Sequence, residues 1–165
     1  MMTSYKVMVD YSMSLEDMIA AGNYDEVNGT YKMFLAGRSI RGVDHWENFH
    51  PQREKKGMEE VEVFLVHLDE YLWFHLIETE LERLGLKSAT FVELLALGAA
   101  HPELQREFPI VSLASLQTGP GAHHRPTLEK NSFNGERVLD LYFRHHNDKW
   151  QKDWRFLAVR KEVSA

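Results

Sequence analysis

The sequence predicts an α+β fold, in which a mixed or antiparallel sheet carries two to four packed helices within a single domain over residues 1–165. Three kinds of pattern predict it. One segment has the form of a capped apolar helix, several short segments alternate apolar and polar residues, and two short segments are apolar without interruption. A chain of 165 residues with 44% hydrophobic residues is long enough to bury one core.

The helix that begins at Thr90 is the clearest single element of the sequence. Thr90 and Glu93 have the spacing of a capping box, in which each side chain binds a backbone N–H group of the other residue. An apolar face follows at helical spacing, formed by Phe91, Leu94, Leu95 and Gly98. Because Gly98 allows a neighbour to approach closely, we expect this face to lie on a sheet.

The segment after this helix predicts the centre of the sheet. Pro102 suits the first turn of a short helix over residues 102–107, and Pro109 ends it. Residues 110–114 are Ile, Val, Ser, Leu and Ala, a run without polar alternation that is typical of a strand buried on both faces.

The N-terminal half predicts two strands and two helices. Residues 5–11 alternate as in a half-buried strand near a sheet edge, and Ser14 caps a helix that ends near Gly22. Residues 61–68 are apolar on both faces beyond Glu62, which indicates a second buried strand. A helix over residues 71–84 follows, with Gly85 as its C-terminal cap.

The C-terminal part predicts an antiparallel meander of three strands. The first strand lies near residues 124–129, where Pro126 confines it to an edge or a bulge. Asn134-Gly135 is a strong signal for a hairpin turn. The second and third strands alternate over residues 139–144 and 154–159.

Residues 28–58 predict a long loop or insertion, because they contain four glycines and no sustained hydrophobic period. His45, Trp46, Phe49 and His50 lie within it. Their rings form a candidate pocket for a planar or cationic ligand, with aromatic stacking and imidazole hydrogen bonds. The alternative is a loop that its two aromatic residues hold against the core.

Three segments carry a resemblance to a known family: Tyr11 to Gly22, Thr90 to Ala114, and Arg155 to Lys161. Together they resemble a family of short uncharacterised bacterial or phage proteins, and this resemblance implies no particular chemistry. The order of elements, two helices before a run of strands, is also similar to that of C-type-lectin-like domains, including those of formylglycine-generating enzymes.

Composition and motifs narrow the classes of function. The net charge of −6 makes nucleic acid an unexpected partner, since phosphate attraction needs a basic surface. The absence of cysteine excludes thiolate metal sites and a cysteine nucleophile. No apolar run is long enough to span a membrane, so we expect a cytoplasmic protein. No nucleophile elbow, phosphate-binding loop or dinucleotide fingerprint is present, so no catalytic residue and no cofactor are assigned.

Adjacent histidines suggest one candidate metal site. His145 and His146 are predicted on a loop, with Asp148 nearby. Neighbouring residues on a strand would point to opposite faces, so the pair can share a metal only if it lies on a loop. The alternative is a polar hairpin tip.

The predicted meander offers a polar face. Tyr142 and Arg144 share one face of a strand with Asp140, and Arg155 is expected across from them on the neighbouring strand. The two arginines are candidates for binding a phosphate or carboxylate. Cross-strand ion pairing explains the same residues without a ligand.

These observations favour a small cytoplasmic binding module that recognises a protein partner or a small ligand, through the 28–58 loop and the polar face. The first alternative is a hydrolase or lyase that uses His45, His50, His145, His146 and Asp148. The second is a phage or mobile-element accessory protein that inhibits a host factor. A homodimer is compatible with each. An enzyme requires His and Asp side chains that converge in one concavity, whereas a binding module requires an exposed apolar or aromatic patch.

Overall fold

The computed structural model describes residues 2–29, 31, 57–114, 116–119, 122–145 and 149–162, with the backbone alone described at 116–119, 122–123 and 143–145. The helices whose bounds are described are α1 (Leu15–Ala21), α2 (Phe74–Arg83), α3 (Phe91–Ala100) and α4 (Leu104–Glu107), and Gly29 and Tyr31 are helical as well. The strands are β1 (Met2–Asp10), β2 (Glu26–Val27), β3 (Met58–His67), β4 (Leu72–Trp73), β5 (Leu86–Ser88), β6 (Ile110–Val111), β7 (Leu116–Gly119), β8 (Ala122–Lys130), β9 (Arg137–His145), β10 (Lys149–Trp150) and β11 (Arg155–Arg160).

Nine of the described strands form one sheet in the order β1-β3-β11-β6-β8-β9-β2, with β5 paired to β11 and β7 paired to β8. The β11–β6 and β2–β9 pairs are parallel and the others are antiparallel. Strands β4 and β10 form a separate antiparallel ribbon. The predicted α+β class with a mixed sheet is therefore confirmed.

Helices lie on both faces of the sheet. One hydrophobic cluster joins α1, α3 and α4 to the first face, and a second cluster joins α2, Trp150 and Trp154 to the opposite face. Along β3 and β11, alternate residues enter the two clusters, so both strands are buried on both faces, as predicted for residues 61–68. Over the described residues, no helix is long and apolar enough to cross a membrane.

The capping box at the start of α3 is confirmed. The Thr90 hydroxyl accepts the Glu93 N–H at 3.3 Å, and Glu93 Oε1 accepts the Thr90 N–H at 2.8 Å. The buried Glu93 carboxylate also accepts the Tyr11 hydroxyl at 2.9 Å. The close approach at Gly98 is confirmed as well, because a Cβ there would lie 2.2 Å from the Tyr24 hydroxyl oxygen.

The predicted central strand occupies the centre of the sheet but is short. Strand β6 lies between β11 and β8 and contains only Ile110 and Val111. The pairing with β8 continues for one more bond in the same register, since the Ser112 N–H donates to Pro126 O at 3.1 Å, and the Ser112 hydroxyl donates to Ala89 O at 2.5 Å.

The hairpin at Asn134-Gly135 is confirmed, and it joins β8 to β9 with Gly135 at φ 73°. The expected edge position of Pro126 is wrong, because β8 is paired on both sides. Pro126 is tolerated there because the pairing of β8 passes from β6 to β7 at this residue, where its carbonyl oxygen accepts the Ser112 N–H and no N–H is required in return. The third C-terminal strand, β11, does not continue the hairpin, because it pairs with β3, β5 and β6.

The helix predicted over residues 71–84 begins later, at Phe74. Leu72 and Trp73 are instead the short strand β4, which pairs with β10. Helix α2 ends as predicted, with Gly85 at φ 76° directly after it.

Thr90→Ala should lower the free energy of unfolding by about 1 kcal/mol, because a donor in the first turn of α3 loses its acceptor. Urea denaturation measures this change. Thr79→Ala is the matched control, since Thr79 is exposed in the middle of α2 and its hydroxyl donates only to the backbone oxygen of His75. The control should change stability by less than about 0.5 kcal/mol. Equal losses in the two variants would contradict a capping role for Thr90.

Candidate functional site

Most sequence-predicted site residues lie outside the part of the chain that the structure describes. His45, Trp46 and His50 of the 28–58 loop are among them, as are His146 and Asp148 of the candidate metal site. For Arg144 and His145 only the backbone, in β9, is described, and the expected loop position of His145 is wrong because its backbone pairs with Ala122 of β8. These assignments, and the hydrolase or lyase interpretation that depends on the histidines, stay predictions. Among the described residues, no three His, Asp or Glu side chains are grouped so that they could hold a metal ion.

The structure separates Arg155 from Tyr142. The expectation that they face each other on neighbouring strands is wrong, because β6 and β8 lie between β11 and β9. The Arg155 guanidinium lies 4.3 Å from the centroid of the Phe108 ring, and its Nη1 donates to Asp153 O at 2.7 Å. Ligand binding by either residue remains a prediction.

Tyr142 belongs to an aromatic cluster on the second face of the sheet. Its ring stacks on Trp150 at 6.1 Å between centroids and meets the edge of Trp154 at 5.4 Å. These tryptophans cover the strand face that the sequence suggested was an open polar surface. The sequence could not show this, because it does not reveal that β10 folds back over β9.

A half-buried carboxyl group lies beside this aromatic cluster. Glu129 accepts the Tyr142 hydroxyl at 2.9 Å through Oε1 and the Thr127 hydroxyl at 2.9 Å through Oε2. Burial raises the pKa of Glu129, and the nearby Asp140 and Asp153 carboxylates raise it further, while the two hydrogen bonds oppose the rise. The Glu129 carboxyl group therefore binds its proton more tightly than an exposed glutamate does.

A cleft of about 290 Å³ lies where the ends of α1 and α3 meet the start of β9. Its buried cation is Arg137, which donates from Nη1 to Gly22 O at 2.6 Å and from Nη2 to Gly98 O at 2.8 Å. The same guanidinium lies 4.8 Å from the centroid of the Tyr24 ring. Arg137 thus caps the carbonyl ends of two helices. Because its charge already serves the helices, we interpret the cleft as a structural junction.

The described structure presents an aromatic surface at the β4–β10 ribbon. We call it the ribbon face and define it by Tyr71, Trp73, Leu76 and Lys149. Trp73 pairs directly with Lys149 across the ribbon. The Lys149 ammonium lies 4.5 Å from the centroid of the Trp73 ring and 4.9 Å from that of Tyr71. These are cation–π distances, so the lysine holds both rings in place.

The ribbon face is exposed although its side chains are large and apolar. The exposed fractions are 61% for Tyr71, 40% for Trp73 and 42% for Leu76. Leu76 lies in the first turn of α2, three residues after Trp73, which precedes the helix in an extended conformation. Sequence reasoning missed this surface because it assigned Tyr71 and Trp73 to a helix with much apolar surface. Trp73 instead lies in β4, which pairs with β10, and Tyr71 directly precedes that strand.

The fold and this surface define an α+β protein with an exposed aromatic ribbon. Comparison of the chain with protein-family models, with curated proteins and with solved structures found no match. The resemblances to short bacterial or phage proteins and to C-type-lectin-like domains therefore stay predictions.

Arg137→Met should lower the free energy of unfolding by about 3 kcal/mol, because buried carbonyl groups at the ends of α1 and α3 lose a charged donor. Urea denaturation measures the loss. Arg106→Met is the matched control, since Arg106 lines the same cleft but is exposed. It should change stability by less than about 0.5 kcal/mol. A small effect of Arg137→Met would contradict its capping role.

The free energy of unfolding of Glu129→Gln should rise progressively, relative to that of the wild type, as pH rises. A carboxyl group with a raised pKa in the folded state binds its proton more tightly there, so the folded protein loses stability as pH rises from the unfolded-state pKa through the folded-state pKa. Glutamine has no such titration. Urea denaturation between about pH 4 and about pH 8 measures the difference, using the unfolded-state value for Glu of about 4.3 as the lower reference. A difference that grows toward low pH would contradict burial as the dominant cause.

Proposed function

We propose that this protein is a binding module that recognises a protein partner through the ribbon face. The observation that carries the proposal is the pair of exposed rings, Tyr71 and Trp73, held by Lys149. A binding module requires such an exposed aromatic patch, whereas an enzyme requires side chains that converge in one concavity.

Tyrosine and tryptophan suit a protein interface for a physical reason. They bring a large contact area at a low cost in conformational entropy, and they are enriched among the residues that dominate binding free energy. Here the contact with Lys149 already restricts both rings, and strand pairing restricts Trp73 further. Less ordering is therefore required when a partner binds.

A protein fits the ribbon face better than a small molecule does. The reverse side of the ribbon, Leu72 and Trp150, packs into the second hydrophobic cluster. The rings therefore stand on a surface, whereas sites for small molecules are concave and enclose most of the ligand. The described cleft lies elsewhere, and Arg137 there is already bonded to backbone carbonyls.

Tyr71→Ala and Trp73→Ala should each weaken partner binding by about tenfold or more, which is typical of aromatic hot-spot residues. Wild-type and variant chains serve as bait in lysate of the cells that naturally make the protein, with captured proteins quantified by mass spectrometry. The captured protein is then purified, and its Kd for each variant is measured by calorimetry.

Phe133→Ala is the matched control, because Phe133 is 98% exposed in the β8–β9 hairpin turn, outside the ribbon face. It should bind the partner like the wild type. A partner that binds all variants equally, or one lost only with Phe133→Ala, would contradict the assignment of the ribbon face. Circular dichroism confirms that each variant is folded.

A further inference from the structure

Strand β1 forms one end of the main sheet. It contains nine residues, and over the described part of the chain it pairs only with β3. Natural proteins usually shorten, cover or charge such an edge, because its unpaired backbone groups can accept another strand. Over the described residues, the outer edge of β1 is therefore open to pairing with a further strand.

The direction of the hydrogen bonds shows which residues of β1 face outward. The Tyr11 N–H donates to Gly57 O at 2.9 Å, which continues the register of β1 with β3. In an antiparallel pair, residues alternate between bonding to the neighbour and pointing away from it. The odd-numbered residues of β1 therefore bond to β3, and the even-numbered residues direct their N–H and C=O groups outward.

The side chains at these outward-bonding positions are also accessible. Met2, Ser4, Lys6 and Met8 are exposed, with Met8 at 54%, and Asp10 is half-buried. The odd-numbered Val7 and Val9 are buried in the first hydrophobic cluster. The open edge therefore presents a positive charge, an apolar side chain and a negative charge in order, at Lys6, Met8 and Asp10.

We propose that a second copy of this chain adds its β1 to this edge, antiparallel and centred on Met8. In that register Lys6 of each copy lies opposite Asp10 of the other, and the two Met8 side chains meet at the two-fold axis. Asp10 Oδ1 accepts the Ser12 N–H at 3.0 Å, and the same carboxylate would pair with the lysine of the second copy. Each outward residue pair exchanges two main-chain hydrogen bonds.

Charge distinguishes this register from its neighbours. A pair centred on Lys6 would place the two lysines directly opposite each other, which is unfavourable on a sheet. A pair centred on Val7 would place Lys6 opposite Met8 and Asp10 opposite Ser4, so neither charge would meet an opposite charge on the second copy. Centring on Met8 matches opposite charges twice, because Lys6 of each copy then lies opposite Asp10 of the other. The dimer goes beyond the proposed function, since it uses none of the residues of the ribbon face.

Charge exchange tests the dimer. The untagged full chain should sediment as a dimer at low ionic strength, and both Lys6→Asp and Asp10→Lys should weaken dimerisation by about tenfold or more, because each single change places like charges opposite each other twice. The double variant K6D/D10K should dimerise more tightly than either single variant, although position 6 then places a negative charge opposite Glu62 of its own β3. Analytical ultracentrifugation over a range of concentrations measures all four proteins.

Proline substitutions test the backbone pairing and its register. Met8→Pro should abolish the dimer without unfolding β1, because the N–H at position 8 points away from β3. Ser4→Pro is the matched control, since position 4 lies outside the strand pairing in the proposed register. It should leave the dimer intact. Circular dichroism and urea denaturation establish that both variants fold.

Several outcomes would overturn the inference. A wild-type chain that stays monomeric at every concentration would do so, as would a dimer that Met8→Pro leaves intact or a double variant that fails to recover. A dimer abolished by Trp73→Ala but not by Met8→Pro would mean that copies associate through the ribbon face instead. The two proposals can fail separately. A chain that dimerises but binds no partner through the ribbon face would contradict only the proposed function.

Discussion

The described structure depends most on the pairing of β11, near the C-terminal end of the described residues. On one side β11 pairs with β3, and on the other side it pairs with β6 and β5. It thereby joins the β1–β3 pair to the strands β6, β8, β9 and β2. Its side chains alternate between the two hydrophobic clusters. Each of these pairings closes a long loop of chain, so the entropy of loop closure is offset only when both faces are covered.

The ribbon face results from the way in which Trp150 and Trp154 cover the second face of the sheet. Trp150 and Trp154 are buried against Phe156 and Tyr142 on that face. Because successive residues of a strand point in opposite directions, burial of Trp150 directs its neighbour Lys149 toward solvent, where it meets Trp73. The aromatic surface proposed for partner binding is therefore a consequence of how the core is closed, and the two cannot be changed independently.

Local elements could largely be predicted from the sequence. The Thr90 capping box, the Asn134-Gly135 hairpin and the buried strand around Val63 each depend on residues close together in the chain, and each is confirmed. Local patterns report which dihedral angles and which degree of burial a segment favours. Errors arose where pairing overrode the local pattern. Leu72 and Trp73 continue a helical pattern but pair with β10, and Pro126 lies in an interior strand at the residue where the pairing of β8 passes from β6 to β7.

The sequence by itself determined the α+β class, the helix caps and the central position of β6. Only the tertiary structure decided that Arg137 caps two helices, that β11 lies away from β9, and that Tyr71 and Trp73 face solvent. The physical reason is that a strand's periodicity specifies its buried face but not its partner. Partners are chosen by the complementarity of whole surfaces, which residues distant in sequence supply.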